Sequence, residues 1–305
     1  RHKYLSFYFI IITLYFRQRC CLNILDGKAC SQEIEKELFI EIDRLRAFDI
    51  TPCLYVILVG NNPASLSYVT MKNKACNRIG IESKIIRLEE SISQDELLNE
   101  IYKLNNDKKV NGILVQLPLP KHIDSNIILE SIDINKDVDG FHPYNMGRLF
   151  CNLASFFPAT PLGIMMLLER YSIDVKGKDV VIVGASNIVG KPLSSLMLNA
   201  GASVSICHIL TKDIKKYTKD ADIVCIGVGK VKLLSDDMIK DGAVVIDIGI
   251  NKLDDGSIVG DVDFKNVSTK ASYITPVPGG VGPMTISALL SNTIKATKLQ
   301  YEAIK

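Results

Sequence analysis

Short apolar runs alternate with longer amphipathic stretches from residue 23 onward, and this alternation predicts a parallel sheet with helices on its faces. The pattern falls into two blocks. In the first, helices are predicted over 65–79 and 94–105, and strands over 54–59, 83–88 and 112–117. In the second, five short β-branched runs are predicted as strands, at 179–183, 203–207, 223–226, 244–248 and 273–275. The fold class we expect is therefore α/β.

A proline-rich step separates the two blocks. Pro158 and Pro161 flank a short segment, after which a helix is predicted over 162–171. A Pro/Gly-rich loop over 275–283 follows the second block and leads into a last helix, 284–297. These two breaks mark where the chain passes from one domain to the other.

The strand–loop–helix–strand unit over 178–207 has the dimensions of a Rossmann unit. A helix that follows a completed nucleotide-binding domain often returns to the domain before it. We therefore predict an N-terminal α/β catalytic domain formed by 23–157 with 280–305, and a Rossmann-type NAD(P)-binding domain over 158–279. The two domains are expected to face each other across a cleft.

Residues 1–22 form a separate, leader-like extension. Three residues, Arg1 to Lys3, precede a mostly apolar run over 4–16, and a second basic group follows it. The run is shorter than the about 20 apolar residues of a spanning helix, so no stable membrane span is predicted in the mature chain. It is typical of a targeting segment, which favours an organelle (mitochondrion or plastid) over the cytosol. An apolar helix packed on the domain is the alternative.

Composition narrows the choice of partners. Among 305 residues, 36 Lys and Arg balance 34 Asp and Glu, and the net charge of +2 does not favour a nucleic-acid partner. Eight cysteines occur without a C-x-x-C pair, and only four histidines are present, so no metal site is predicted. Several cysteines lie in apolar runs and are expected to be free, buried thiols.

A glycine turn follows the predicted strand 179–183 and opens a helix. Its sequence, GASNIVG over 184–190, offers backbone N–H groups that can hold a pyrophosphate. The turn departs from the dinucleotide fingerprint, because Ser186 stands at the second glycine position and Gly190 comes one residue late. A turn that only permits tight packing of helix on strand fits the same residues.

The end of the next strand bears on the choice of cofactor. After Cys207 no acid stands where an NAD enzyme usually places one for the ribose 2′-hydroxyl, which favours NADP. No arginine stands there either. Only Lys191 and Lys212 are available for a 2′-phosphate, and both are also typical of solvated surface charges.

Polar residues of the first block are candidates for proton chemistry. Tyr68 and Lys72 lie four residues apart and so share one face of a predicted helix, a spacing that is also common in half-exposed pairs. Gln116 closes an apolar strand, where functional side chains collect in open α/β sheets. Asp137 and Asp139 lie in a Gly/Pro turn, where carboxylates often serve only as turn caps.

Taken together, these motifs resemble the bifunctional methylenetetrahydrofolate dehydrogenase/methenyltetrahydrofolate cyclohydrolase family, the FolD-type enzymes. The segments that carry the resemblance are ILDGK (24–28), YVTMKNKAC (68–76), GILVQLPLP (112–120), residues 137–149 and PGGVGPMT (278–285). The resemblance implies oxidation of 5,10-methylenetetrahydrofolate with NAD(P)+ and hydrolysis of the methenyl product to 10-formyltetrahydrofolate. It also implies a folate substrate, an NADP cofactor and a homodimer.

The same resemblance assigns roles by position. As catalytic residues it implies Lys72, Tyr68, Gln116 and Asp139. As folate-binding residues it implies Tyr68, Gln116, Asp139, Pro278, Gly279 and Gly280. As cofactor-binding residues it implies Gly184, Ala185, Ser186, Ile188, Val189, Gly190, His208, Thr211, Gly282 and Thr285.

The chain departs from the family pattern near the expected 2′-phosphate. Ala185 stands where the family usually has an arginine, and Ile209 replaces a polar or basic residue. Because neither side chain can pair with a phosphate, NAD is a possible cofactor beside NADP.

Two rival functions fit parts of the pattern. One is another two-domain NAD(P)-dependent dehydrogenase, which would need a different acid/base set. The other is a non-catalytic nucleotide-binding module, suggested by the missing arginine and the apolar leader. No convincing His/Asp pair is visible for the first rival, and the combination of Tyr68, Lys72, Gln116 and Asp139 argues against the second.

Overall fold

The computed structural model describes residues 23–302. The predicted leader, residues 1–22, lies outside the described residues. Among the helices of the described part, none has the length and apolar character needed to cross a membrane.

The first domain is built on a parallel three-stranded sheet. After the two-residue strand β1 (Asn23–Ile24), the chain forms β2 (Cys53–Val59), β3 (Glu82–Leu88) and β4 (Gly112–Val115), in the order β3-β2-β4. The register places Leu54 opposite Ser83 on one side and Gly112 on the other. All four residues of β4 and six of the seven in β2 are buried, as expected for strands covered on both faces.

The helices of the first domain begin at side-chain caps. They are α1 (Gly27–Arg46), α2 (Pro63–Ile79), α3 (Gln94–Asn106), α4 (Ser125–Glu130) and α5 (Pro143–Phe150). The side chain of Asn62 accepts hydrogen bonds from the first N–H groups of α2, with Pro63 at the first helical position. Ser93 and Glu96 form a capping box at the start of α3. Local sequence therefore fixes where α2 and α3 begin.

The second domain is built on a six-stranded parallel sheet with the order β1-β11-β8-β7-β5-β6. Its strands are β5 (Asp179–Val183), β6 (Ser203–Cys207), β7 (Ile223–Ile226), β8 (Val244–Asp247) and β11 (Tyr273–Ile274), and β9 (Asn251–Lys252) pairs with β10 (Ile258–Val259) in a separate hairpin. Its helical segments are α6 (Ala159–Arg170), α7 (Gly190–Asn199), α8 (Lys215–Thr218) and α9 (Phe264–Val267), with a 3₁₀ turn at Asp236–Met238. Strand order reverses at β5, which has β6 on one side and β7 on the other. In open α/β sheets a ligand crevice lies at such a reversal.

The last helix, α10 (Val281–Glu302), returns to the first domain as predicted. It packs along α6 and α1 and also touches β2 and β4. The buried Asn292 donates from its side-chain amide to the carbonyl oxygens of Val138 (2.8 Å) and Phe157 (2.9 Å). One hydrophobic cluster runs through both domains, including Ile34, Leu114, Ile164, Ile246 and Leu290.

The predicted strands of both sheets are present, with ends that shift by at most two residues, and three of them, β5, β6 and β7, have the predicted bounds. The elements that were not predicted include the 20-residue helix α1, the strand β1, the short helices α4 and α5, and the hairpin of β9 and β10. Residues 23 and 24 were assigned to the first domain, but their strand partner is β11 of the second sheet. The six described cysteines are free, and five of them are buried.

Candidate active site

A cavity of about 1600 Å³ lies where the carboxyl ends of the two sheets face each other. Segments after β4, β5, β8 and β11 all contribute to its walls. Of the predicted site residues, the following line it: Tyr68, Lys72, Gln116, Asp139, Ile188, Val189, Pro278, Gly279, Gly280, Gly282 and Thr285. The predicted folate site and part of the predicted cofactor site therefore share one space.

Lys72 lies on α2 with only 8% of its surface exposed. Its Nζ donates a hydrogen bond of 3.1 Å to Oε1 of Gln116, the residue that follows β4. The amide nitrogen of Gln116 donates in turn to the carbonyl oxygen of Leu117 at 2.8 Å, which fixes which end of the amide faces the lysine. A buried amine held by one oriented acceptor is a positioned group, unlike a surface lysine.

Asp139 reaches the cavity from a turn that a second carboxylate organises. Asp137 is buried and accepts hydrogen bonds from the backbone N–H groups of Phe141 (3.1 Å) and His142 (2.9 Å) and from the side-chain amide of Asn145 (2.8 Å). Burial raises the pKa of Asp139, the positive charge of Lys72 opposes this shift, and the charge of Asp137 adds to it. Asp137 therefore caps the turn through its hydrogen bonds, whereas Asp139 lines the cavity.

Tyr68 lies one helical turn before Lys72 and is partly buried against the same cavity. Burial raises the pKa of its phenol, so it is neutral near pH 7. No hydrogen bond joins Tyr68 to Lys72 within residues 23–302; the lysine instead pairs with Gln116. The ring of Tyr68 therefore offers a flat apolar wall beside the amine.

The glycine turn after β5 brings strand and helix into close contact. Gly184 adopts φ +127°, which is open to glycine but strained for other residues. A Cβ at Gly190 would lie 1.9 Å from the carbonyl oxygen of Gly184. Although it comes one residue late in the sequence, Gly190 therefore serves the close-packing purpose of the last glycine of a dinucleotide turn.

Ser186 accepts hydrogen bonds from three backbone N–H groups at the start of α7. Its hydroxyl accepts from the N–H groups of Val189 (3.1 Å) and Gly190 (3.4 Å), and its carbonyl accepts from Lys191 (3.1 Å). In the described part of the chain, the N–H groups of Ala185, Asn187 and Ile188 donate no hydrogen bond. These unsatisfied donors in a strand–turn–helix loop suit an anionic phosphate.

Six predicted cofactor residues lie beyond the cavity, at the carboxyl ends of β5 and β6: Gly184, Ala185, Ser186, Gly190, His208 and Thr211. The N–H of His208 donates to the Thr211 hydroxyl at 2.9 Å, which closes a tight turn. The tip of that turn is apolar, because Ile209 is 96% exposed and Leu210 is 79% exposed. No basic side chain stands at this tip.

Sequence reasoning missed several cavity residues. Asp247, at the end of β8, and the following 248–250 segment line the wall that the second domain contributes, and Phe141 and Thr160 also line the cavity. Asp247 is buried, and burial raises the pKa of its carboxyl, while N–H groups of Asp261, Val262 and Gly249 oppose this shift. A carboxylate at the end of a parallel strand was the available signal.

A nucleotide crevice at the strand reversal, open to a cavity that holds a buried lysine, defines a two-domain NAD(P)-dependent enzyme. Two domains of known families match the chain. The catalytic domain of tetrahydrofolate dehydrogenase/cyclohydrolase matches residues 25–139, and the NAD(P)-binding domain of the same family matches residues 158–301. The chain therefore belongs to the tetrahydrofolate dehydrogenase/cyclohydrolase family.

Curated relatives and solved structures agree with this assignment. Bifunctional protein FolD of Helicobacter hepaticus is 64% identical over 92% of this chain and 98% of its own length. The crystal structure of FolD from Campylobacter jejuni is 57% identical, with a TM-score of 0.90, and covers 92% of this chain and 99% of that one. The FolD structure from Trypanosoma brucei, complexed with NADP and an inhibitor, is 36% identical with a TM-score of 0.88, covering 92% and 98%.

The predicted function is thereby confirmed. The chain is a methylenetetrahydrofolate dehydrogenase and methenyltetrahydrofolate cyclohydrolase of one-carbon folate metabolism, and its second domain is of the NAD(P)-binding type. Family membership decides against the two rival functions, another dehydrogenase and a non-catalytic module.

The close contact at Gly190 yields a test of the cofactor turn. Gly190→Ala should lower the free energy of unfolding by about 1–3 kcal/mol, because the added methyl overlaps a backbone carbonyl that side-chain motion cannot relieve. Gly147→Ala, in α5 with nothing within 4 Å of its Cβ, is the matched control and should be neutral or stabilising by about 0.5–1 kcal/mol. Urea unfolding measures both, and equal midpoints for the two variants would contradict the packing role.

Proposed function

We propose that one cleft serves both reactions and that Lys72 carries the proton in the hydrolytic one. The observation that supports this most directly is the buried Nζ of Lys72, held by Gln116 at 3.1 Å within the cavity. Desolvated, oriented groups are the ones that stabilise developing charge most effectively.

In the oxidation, the carbon between N5 and N10 of the folate loses a hydride, and the bound NAD(P)+ supplies the acceptor carbon. The chain contributes alignment and electrostatics. We assign the pterin to the pocket between Tyr68, Gln116 and Asp139, and the approach of the two reactants to the loop over 276–283. That loop is tied to α1 by a hydrogen bond of 2.9 Å from the Lys28 N–H to the Gly279 carbonyl.

In the hydrolysis, water adds to the cationic methenyl carbon and loses a proton. The hydroxyl group formed in this way then loses its proton as the bond from that carbon to N5 breaks, and N5 takes up a proton, so 10-formyltetrahydrofolate forms with a net release of one proton. Lys72 is the group we assign to move the proton between the attacking water and N5. Gln116 keeps the amine directed into the cavity, and Tyr68 forms the wall against which the substrate ring lies.

Asp139 supports this chemistry through its raised pKa. Burial makes its carboxyl easier to protonate than an exposed aspartate, and Lys72 is the charge that opposes this effect. A carboxyl in this environment can donate a hydrogen bond to a pterin nitrogen or accept one from it as the proton count of the site changes. We therefore assign Asp139 to substrate binding and to the electrostatic balance of Lys72.

Substitution of Lys72 tests the shared cleft. Lys72→Met keeps most of the unbranched volume but carries no proton, so cyclohydrolase kcat should fall by ~10²- to 10⁴-fold. Hydride transfer needs alignment more than proton movement, so dehydrogenase activity should fall less steeply and cofactor affinity should be unchanged. Absorbance changes of the methenyl compound and of the reduced nicotinamide measure the two rates separately.

The matched control is Lys103→Met on α3, an exposed lysine that forms an ion pair with Glu100. Surface ion pairs are worth about 0–1 kcal/mol, so both activities should stay within about twofold. A Lys72→Met protein with wild-type melting and wild-type hydrolysis of the methenyl compound would remove Lys72 from the mechanism.

NADP is the cofactor we propose, with a weaker preference over NAD than an arginine at position 185 would give. The Trypanosoma brucei relative was solved with NADP. Here Ala185 carries no charge, and Ile209 is 96% exposed at the tip of the turn after β6. Lys212 and Lys191 are cations that follow β6 and β5 closely in the sequence, and Lys191 already donates to the Asn187 side chain at 2.7 Å.

Restoring a cation tests this cofactor assignment. Ala185→Arg should improve kcat/KM for NADP relative to NAD by about tenfold or more, since a charge-assisted hydrogen bond contributes about 1.5–3 kcal/mol and each ~1.4 kcal/mol is tenfold. Ala185→Gln adds length without charge and should leave the ratio near wild type. If the arginine leaves the ratio unchanged, Lys212 becomes the candidate for the 2′-phosphate.

A homodimer is also part of this proposal. β6 is a terminal strand of the six-stranded sheet; Ile206 within this strand is 38% exposed, and Leu198 on α7 is 58% exposed. Unpaired sheet edges with apolar neighbours are surfaces that proteins tend to cover. Light scattering of purified protein should give twice the chain mass of 33.7 kDa, and a single-chain mass at micromolar concentration would contradict the dimer.

The targeting role of residues 1–22 stays a proposal. It rests on the basic and apolar pattern of the sequence, and we propose that this segment directs the protein to an organelle.

A further inference from the structure

Two buried carboxylates outside the proposed catalytic set lie at the carboxyl edge of the second sheet. Asp247 ends β8 and is 4% exposed, and Asp261 follows β10 and is fully buried. Within residues 23–302, neither carboxylate forms an ion pair with a lysine, arginine or histidine. A buried charge is costly unless hydrogen bonds replace its water, so the donors that surround this pair are informative.

Backbone N–H groups satisfy Asp247. Its Oδ1 accepts from Gly249 at 2.9 Å and from Asp261 at 3.0 Å, and its Oδ2 accepts from Val262 at 3.0 Å. Asp247 therefore fixes the backbone on which Asp261 stands. Its own N–H donates to the hydroxyl of Thr275 at 2.7 Å, which links this arrangement to the end of β11.

Asp261 in turn accepts hydrogen bonds from the loop that follows β7 and from Asn251. Its Oδ2 accepts from the N–H groups of Val228 at 2.6 Å and Gly229 at 3.0 Å, and its Oδ1 accepts from the Asn251 side-chain amide at 2.8 Å. All of these partners are donors, so an ionised carboxylate, which only accepts, is the form that fits.

Two glycines lie so close to this pair of aspartates that a side chain would not fit at either glycine position. A Cβ at Gly249 would lie 2.3 Å from Cγ of Asp261, and a Cβ at Gly260 would lie 1.9 Å from Oδ2 of Asp247. Both positions are glycine, which permits the close approach. The backbone therefore packs closely around both aspartates, in addition to donating hydrogen bonds to them.

The loop that Asp261 holds, residues 227–229, follows β7 and borders the crevice at the strand reversal. The N–H of Gly227 donates to the Val183 carbonyl at 2.9 Å, and a Cβ at Gly184 would lie 2.6 Å from the Gly227 carbonyl oxygen. The loop is thus in direct contact with the glycine turn after β5. Dinucleotides bind between such loops in doubly wound sheets.

We propose that Asp261 is a positioning residue for cofactor binding: its carboxylate anchors the 227–229 loop against the glycine turn, and Asp247 orients Asp261 through the backbone. Asp261 itself lies behind the loop and does not line the cavity. The inference rests on the proposed function only in taking the crevice between β5 and β7 as the dinucleotide site.

The two reactions of the enzyme separate this role from a purely structural one. Hydrolysis of the methenyl compound needs no dinucleotide, so a defect confined to the cofactor loop leaves that rate intact. A general loss of folding would lower both activities together. Direct titration of NADPH fluorescence, with NADH in parallel, adds a binding measurement that does not depend on turnover.

Asp261→Ala should raise the cofactor Kd and KM by about tenfold or more, because the two N–H groups of the 227–229 loop and the Asn251 amide lose their shared acceptor. The dehydrogenase kcat at saturating cofactor and the cyclohydrolase rate should stay within about twofold. Asp261→Asn should show a smaller rise, about threefold, because its amide oxygen still accepts from Val228 and Gly229 while the Asn251 amide can turn its oxygen toward the new NH₂. Asp254→Ala, an exposed acid of the β9–β10 turn, is the control and should match wild type.

An unchanged cofactor Kd in folded Asp261→Ala overturns the proposal, and so does a parallel loss of cyclohydrolase activity and cofactor binding. If Asp261→Ala does not fold, Asn251→Ala carries the test: it removes one hydrogen bond to Asp261, and an unchanged Kd there is equally decisive. Wild-type protein that binds NADPH but does not oxidise methylenetetrahydrofolate would instead contradict the proposed function, while leaving the role of Asp261 open to the same titration.

Discussion

The packing of α10 against α6 and α1 is the constraint on which the site depends. It decides how far apart the carboxyl ends of the two sheets stand, and hence whether Lys72 and the cofactor crevice share one cavity. Asn292 secures this arrangement at the carbonyls of Val138 and Phe157, which flank the turn that carries Asp139. The C-terminal helix thus positions the turn that carries Asp139, near the middle of the sequence.

Charge is arranged differently on the two sides of the cavity. In the first domain, Lys72 and Asp139 line the cavity, and Nζ of Lys72 donates a hydrogen bond to Gln116. In the second, backbone donors satisfy Asp247 and Asp261, and these carboxylates serve to hold loops. Hydrogen bonding, and not burial alone, therefore distinguishes the two walls: several donors hold the carboxylates of the second domain, whereas the polar groups of the first domain are the ones we assign to the substrate.

The sequence patterns predicted the strands well because buried parallel strands are continuous β-branched runs. The catalytic candidates were also predictable, since Tyr68, Lys72, Gln116 and Asp139 stand on helix faces, strand ends and turns. Helix α1 was missed although Cys30, Ile34, Leu38 and Ile42 repeat every four residues, and β1 is too short for any periodicity. The role of Asp261 was not predictable, because two of its three partners are backbone N–H groups, which carry no side-chain signature.

The hydrophobic cluster that runs through both domains has a consequence for how the protein responds to ligands. Domains with separate cores open and unfold independently, whereas a shared core makes the loss of one domain expose the apolar surface of the other. Any ligand that binds the native cleft therefore adds its binding free energy to the cohesion of the entire chain. We therefore expect resistance to cellular proteases to rise with the fraction of the protein that has substrate bound.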